Sequence, residues 1–147
     1  MLGLFDFLRR PPARRTARQE TGRAGEQAAE RFLRKAGYRI VARNVTYPQG
    51  EIDLVALEKA TGVLCFVEVR SRTVSEGERP QVTPEESVTT AKRWRVIRAA
   101  RRFVAERRAG DLVLRFDVVA VRFAGDDHRQ PDIRHYPGAF DGRGRLT

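Results

Sequence analysis

Gly50-Glu51-Ile52-Asp53-Leu54-Val55-Ala56 and the run that answers it, Leu64-Cys65-Phe66-Val67-Glu68-Val69-Arg70, decide the fold. Both runs have the apolar, partly β-branched composition of strands, yet each carries an acid where a buried strand would carry another Val or Leu. Between them, Lys59-Ala60-Thr61-Gly62 has the length and the glycine of a tight hairpin loop. With those four residues as the loop, Glu58 pairs with Val63, Leu57 with Leu64, Val55 with Phe66 and Asp53 with Glu68. Two carboxylates then stand opposite each other on one face. Directly opposed like charges destabilise a sheet, and at about 5 Å and an effective dielectric near 20 they repel by roughly 3 kcal/mol. Protonation of one acid, or a cation between them, removes that cost. Arg70 lies two residues beyond Glu68 and projects from the same face, because strand side chains alternate, so its charge is expected near both acids.

A divalent ion on Asp53 and Glu68 with a cationic side chain beside it suits phosphodiester chemistry. Hard oxygen ligands favour Mg²⁺ (or Mn²⁺), which keeps several waters and is commonly held by one or two carboxylates plus phosphate oxygens. Such an ion activates water and polarises a phosphoryl group, while the neighbouring cation steadies developing negative charge. Spacing alone also allows a purely structural arrangement, in which Asp53 caps its strand and Glu68 pairs with Arg70 or Arg72.

The chain of 147 residues is one domain's worth, with 41% apolar residues to build a core. A net charge of +10 implies an anionic partner, nucleic acid first among them. The single Cys65 excludes an intramolecular disulfide and reads as a small core residue, and two histidines are too few for a Cys/His zinc site. No apolar run approaches the roughly 20 residues of a membrane span. Met1 to Leu8 is apolar but short, contains Asp6 and precedes its basic residues, so it does not read as a signal peptide. A cytoplasmic protein without membrane contact is expected.

Residues 1 to 23 read as a basic, disordered arm, residues 24 to 137 as the single domain, and residues 138 to 147 as a loose, glycine-rich tail. From Ala24 to Ala36, Ala28, Ala29, Phe32, Leu33 and Ala36 recur at helical spacing, and Gly37 follows as a terminator. Glu26 near the start of that helix is favoured there by the helix dipole. Tyr38 to Tyr47 is a strand, with Asn44 and Tyr47 able to meet a substrate, and Pro48-Gln49-Gly50 turns the chain into the hairpin. Its second strand, to Arg70, is apolar on both faces and therefore central in the sheet. Thr73 to Gln81 reads as a mobile loop.

Thr83-Pro84-Glu85-Glu86 has the signature of a helix start, and the helix is expected to run to about Arg108 with Val88, Ile97, Ala100 and Val104 buried. Its remaining surface is crowded with Lys92, Arg93, Arg95, Arg98, Arg101, Arg102, Arg107 and Arg108 against Glu106 alone, a repulsion that phosphate would relieve. Arg72, Arg93, Arg95 and Arg98 are the candidate nucleic-acid contacts. Lys92, near the sheet's working edge, is placed to supply an amine to the acidic pair. Trp94 reads as core. Asp111 to Phe123 is a strand in which Asp117 has a structural duty, and a further short strand covers Ile133 to Tyr136. His128 and His135 read as surface residues.

Taken in order, Gly25-Glu26 on a helix, Gly50 to Ala56, Phe66-Val67-Glu68-Val69-Arg70-Ser71-Arg72, Lys92 on a long helix and Phe116-Asp117-Val118-Val119-Ala120 resemble the YraN-like family of small bacterial proteins. That family resembles the PD-(D/E)XK nucleases, whose restriction-endonuclease-like fold includes archaeal Holliday-junction resolvases. The resemblance spans roughly residues 22 to 123. It implies an α/β fold with a mixed sheet of about five strands flanked by helices. It places Asp53 and Glu68 at metal-ligand positions, Arg70 at the position of the motif's lysine and Glu26 where resolvase-like members carry a helical acid. Ile52 stands where the superfamily's name expects proline.

The expectation is thus a Mg²⁺-dependent endonuclease acting on branched or flapped DNA through Glu26, Asp53, Glu68, Arg70 and Lys92. A homodimer is compatible with it. The alternative is a nucleic-acid-binding module that keeps the fold without the chemistry, since an arginine stays charged and cannot serve as a base. A third class is an adaptor binding an acidic protein through the long helix.

Overall fold

The hairpin forms in the register that its loop length dictates, with Leu57 opposite Leu64 and Val55 opposite Phe66. The computed structural model describes residues 15–75, 77–78, 88–125 and 127–147. Along these residues run α1 (Ala17–Lys35), β1 (Tyr38–Tyr47), β2 (Gly50–Glu58), β3 (Leu64–Val74), α2 (Thr90–Arg107), β4 (Leu114–Ala124) and β5 (Asp127–Phe140). The strands form one sheet in the order β1-β2-β3-β4-β5. Only β3 and β4 are parallel, and α2 is the crossover between them.

The sheet is mixed and has a helix on each face. Alternation along the strands sends Val55, Phe66, Phe116 and Val118 toward Val96, Ile97 and Phe103 of α2. It sends Leu54, Ala56, Val67, Val119 and Val121 toward Ala28, Ala29 and Leu33 of α1. Strands β3 and β4 are buried on both faces, which is why their sequences are apolar runs rather than alternations. The fold is α/β with a mixed five-stranded sheet, as expected. Cys65 is fully buried in the α1-side core. Among the described residues no helix is long and apolar enough to cross a membrane.

The elements depart from the sequence reading at their ends. Helix α1 begins at Ala17, not Ala24, because Thr16 and Gln19 form a capping box that starts it seven residues early. Residues 17–23 bury little, and their helix propagates from the packed half that follows. The rest of the expected arm, residues 1–14, lies outside the described residues. Strand β3 continues past Arg70 to Val74, since parallel pairing with β4 through Val74↔Ala124 satisfies its backbone whatever the side chains. The helix start read at Thr83 falls outside the described residues; the described helix begins at Thr90 behind Thr89, whose hydroxyl accepts the Lys92 N–H at 3.2 Å.

Strand β5 is far longer than the Ile133–Tyr136 segment. As an edge strand it tolerates Pro131 and Pro137, which made the sequence look non-extended. The tail is docked rather than loose. Phe140 bridges to Leu146, Asp141 accepts the Arg143 and Arg145 N–H groups, and the Gly144 carbonyl accepts from Arg93 Nε at 2.8 Å. Half-buried Trp94 packs against the α2-side core and lies close to Gly144.

Candidate active site

Strands β2 and β3 part after the pair Leu54↔Val67, and the next position brings Asp53 opposite Glu68. There Asp53 Oδ2 accepts the Val69 N–H at 2.8 Å, so a side chain takes over the bond that the backbone gives up. Glu68 is 1% exposed. Lys92, in the first turn of α2, brings its Nζ to 2.8 Å from Glu68 Oε1. The approach is an ion pair by distance, but its angles are not those of a hydrogen bond, and this oxygen is buried without a directed donor.

Two glycines let the helices come close enough for these contacts. A Cβ at Gly50 would sit 1.9 Å from the Arg95 carbonyl oxygen, so the start of β2 lies directly on the backbone of α2. A Cβ at Gly25 would sit 1.7 Å from Ser71 Oγ, so α1 is seated on β3 at the residue immediately before Glu26. Both contacts fix the helices relative to the acidic pair.

Burial raises the Glu68 pKa to about 7, and the adjacent Asp53 charge adds to the rise while Lys92 opposes it. Burial also raises Asp53, against the Val69 N–H, the Glu68 carboxyl and the Lys92 charge. The pair therefore favours holding one proton between two carboxyls. Glu26 is likewise raised, first by burial and then by the charge of Asp53, with the Asn44 amide opposing. Asn44 itself has φ 48°, an uncommon left-handed conformation within a strand, and the neighbouring pairs Arg43↔Leu54 and Val45↔Ile52 place it opposite Asp53. A residue read only as a possible substrate contact is thus part of the site's frame, and its backbone conformation carries no sequence signature beyond the tolerance of Asn for it.

The structure brings Asp53, Glu68 and Lys92 together, with Glu26 near enough to feel the Asp53 charge. Among the described residues there is no group of three or more His, Cys, Asp or Glu side chains that could hold a metal, and the carboxylates brought together at this point are those of Asp53 and Glu68. Arg70 forms no ion pair among the described residues; β2 has already left β3 at its level, and the cation beside Glu68 is Lys92 instead. Arg72 pairs with Glu78. Arg93 is bound within the fold: it donates to the carbonyls of Gly144 and Val88 and to Thr90 Oγ1, which removes it from the candidate nucleic-acid contacts. Arg95 is exposed, 3.8 Å from Glu51, and Arg98 is exposed without an ion pair among the described residues.

A second polar cluster lies on the other face. Asp117, fully buried, accepts from Arg115 Nε at 2.8 Å and from the Gly138 N–H at 3.0 Å, and His135 Nε2 lies 2.8 Å from its Oδ2. Arg115 also reaches Tyr38 and Glu58. His135 is therefore an interior partner of Asp117 rather than a surface residue. Sequence spacing did not show this, because the contact crosses the β4–β5 ladder through a bulge.

The family model described as "Uncharacterised protein family UPF0102" matches residues 25–121. The chain is 44% identical over 125 residues to a UPF0102 protein of Syntrophotalea carbinolica, covering 84% of this chain and 94% of that one. It is 43% identical over 128 residues to one of Anaeromyxobacter sp. strain Fw109-5, covering 87% and 90% of the two chains. To one of Symbiobacterium thermophilum it is 48% identical over 111 residues, covering 76% and 88%. The matched span takes in Glu26, Asp53, Glu68 and Lys92, and the chain belongs to the UPF0102 family, the YraN-like family that its motifs resemble.

Proposed function

We propose that the protein is a metal-dependent nuclease of the PD-(D/E)XK type, acting on phosphodiester bonds of branched or flapped DNA. The observation that carries this reading is the convergence of Asp53, Glu68 and Lys92: two opposed carboxyls in a buried setting with an amine 2.8 Å from one of them. The donor set fits Mg²⁺ or Mn²⁺, since both ligands are hard oxygens and Glu68 Oε1 is buried without a directed hydrogen-bond donor. Asp53 and Glu68 would hold the ion, with water and phosphate oxygens completing its shell. When bound it supplies an activated water and polarises the phosphoryl group. Lys92 then stands where the motif's lysine would act, donating to a phosphate oxygen or the attacking water from α2 rather than from β3. Glu26, made more basic by burial and by Asp53, is placed to accept a proton at the rim of the site. Arg95 and Arg98 on the exposed side of α2 would meet flanking phosphates.

Cleavage of four-way, flapped and single-stranded substrates with Mg²⁺ or Mn²⁺ tests the reading. Asp53→Asn, Glu68→Gln and Lys92→Met should each lower the rate by roughly a hundredfold or more, the two carboxyl variants while leaving the melting temperature near that of the wild type or above it. Wild-type traces indistinguishable from those in chelator would rule it out.

The second reading is a nucleic-acid-binding module without turnover. The pairing of Lys92 with Glu68 favours it, because the ion pair together with a shared proton neutralises the acids without any metal. Calorimetric titration of Mn²⁺ separates the two: heat that disappears in Asp53→Asn supports the nuclease, and none in the wild type supports the module.

A further inference from the structure

At the end of the molecule where β4 begins, the described large hydrophobics that stand exposed gather on neighbouring segments. Leu112, Val113 and Leu114 are 41%, 68% and 38% exposed, and Leu146 in the docked tail is 44% exposed. Leu146 is tied there through its bridge to Phe140, whose strand pairs Phe140 with Phe116, two residues after Leu114. A cavity of about 390 Å³ opens at the same place, its lining including Ile97, Leu114, Phe116 and Phe140 together with Arg101 and Asp141. Neither the acidic pair nor Lys92 lines it.

The surrounding charge is mainly positive, although Asp111 precedes Leu112 and Asp141 lines the cavity. Arg101 is held by the Gly142 carbonyl and the face of Trp94, Arg107 lies over the Phe103 ring, and Arg108 caps α2 in a left-handed conformation. Together with Arg143 these form no ion pair among the described residues, while the nearby Asp141 is already paired with Arg145. Exposed aliphatic surface beside unpaired guanidinium groups costs free energy that one kind of ligand removes on both counts.

We propose that this end of the molecule is a docking surface for an acidic, apolar-anchored segment of a partner protein, one large apolar side chain entering the cavity and flanking carboxylates pairing with Arg101, Arg107 and Arg143. Charge complementarity selects this occupant. A second copy of the chain would bring its own cations against these, and a nucleic acid would satisfy the arginines through its phosphates but leave the exposed aliphatic side chains uncovered.

The probe is a fluorescein-labelled twelve-residue peptide of aspartate and glutamate with one leucine and a C-terminal phenylalanine, followed by anisotropy with the full chain. Binding is expected to weaken about tenfold or more in Arg101→Glu and in Val113→Asp, an exposed position whose change leaves the core alone, and to an equal degree when the peptide's phenylalanine becomes serine. Arg18→Glu, the same charge reversal at an exposed position in the first turn of α1, should leave it unchanged. The proposal is overturned if the peptide does not bind, if Arg101→Glu and Val113→Asp bind it as the wild type does, if duplex DNA displaces it through Arg101, or if Val113→Asp instead abolishes self-association seen by light scattering.

Discussion

Glu68 carries a folded-state pKa raised to about 7 from an ordinary value of 4.5. An acid raised on folding binds its proton more tightly in the folded chain, so in the window between those values stability falls as pH rises. Glu68→Gln removes that dependence: without divalent ion it should leave the melting temperature nearly unchanged at about pH 4 and raise it at about pH 8, by the equivalent of roughly 1–3 kcal/mol. Lys92 is half exposed and stays hydrated when it loses this partner. A gain of the same size at both pH values would show that burial of the charge is not the cause. Asp117 has the opposite sign. Burial works against its ionisation, but His135, Arg115 and the Gly138 N–H outweigh it and hold the carboxyl below the ordinary range. Its stabilisation is present above the unfolded pKa near 4 and is lost as pH falls through the lower folded value. Asp117→Asn should cost roughly 3 kcal/mol at neutral pH by removing the buried charge that Arg115 and His135 face, with the difference from wild type shrinking in acid melts as pH falls below the ordinary aspartate value near 4.

At the scale of elements, two glycines decide how closely the helices approach the sheet, and they respond differently to the same change. Gly25→Ala drives a methyl into the Ser71 side chain, so it should lower stability by roughly 1–3 kcal/mol in urea melts and recover in part with Ser71→Gly. Gly50→Ala meets the Arg95 backbone, which no side-chain replacement can clear, and should cost more. Equal costs in the two variants would deny that contact. The hairpin register was legible in the sequence because four loop residues and strict alternation leave one way to pair Leu57 with Leu64, and Asp53 opposite Glu68 follows from it. The approach of Lys92 was legible from its place on the helix. The early start of α1 was not, since residues 17–23 are polar all round and only the Thr16–Gln19 box betrays them. The length of β5 was hidden by Pro131 and Pro137, which an edge strand tolerates on its open side. The partners of Arg93 and His135 were hidden because they lie far along the chain, in a tail and a strand whose docking local pattern does not encode.

Across the whole molecule, the excess of positive charge is divided between arginines spent on the fold and arginines left free. Arg93 is spent on three oxygens of the fold, Arg102 on Glu106 and the Tyr47 ring, while Arg98 on the same helix has no such partner among the described residues. Net charge alone does not tell these apart, and DNA binding measured against salt does. Each cation that meets a phosphate adds about one unit to the slope of log affinity on log salt. Arg98→Glu should weaken binding to a short duplex and flatten that slope by about one to two units with an unchanged melting temperature. Arg93→Ala should leave the slope as it is and lower stability by roughly 1–2 kcal/mol, because it unties the tail from α2. Should the two variants flatten the slope alike, the positive face would act as a diffuse field, and the division read from the structure between structural and free arginines would not govern how the protein meets phosphate.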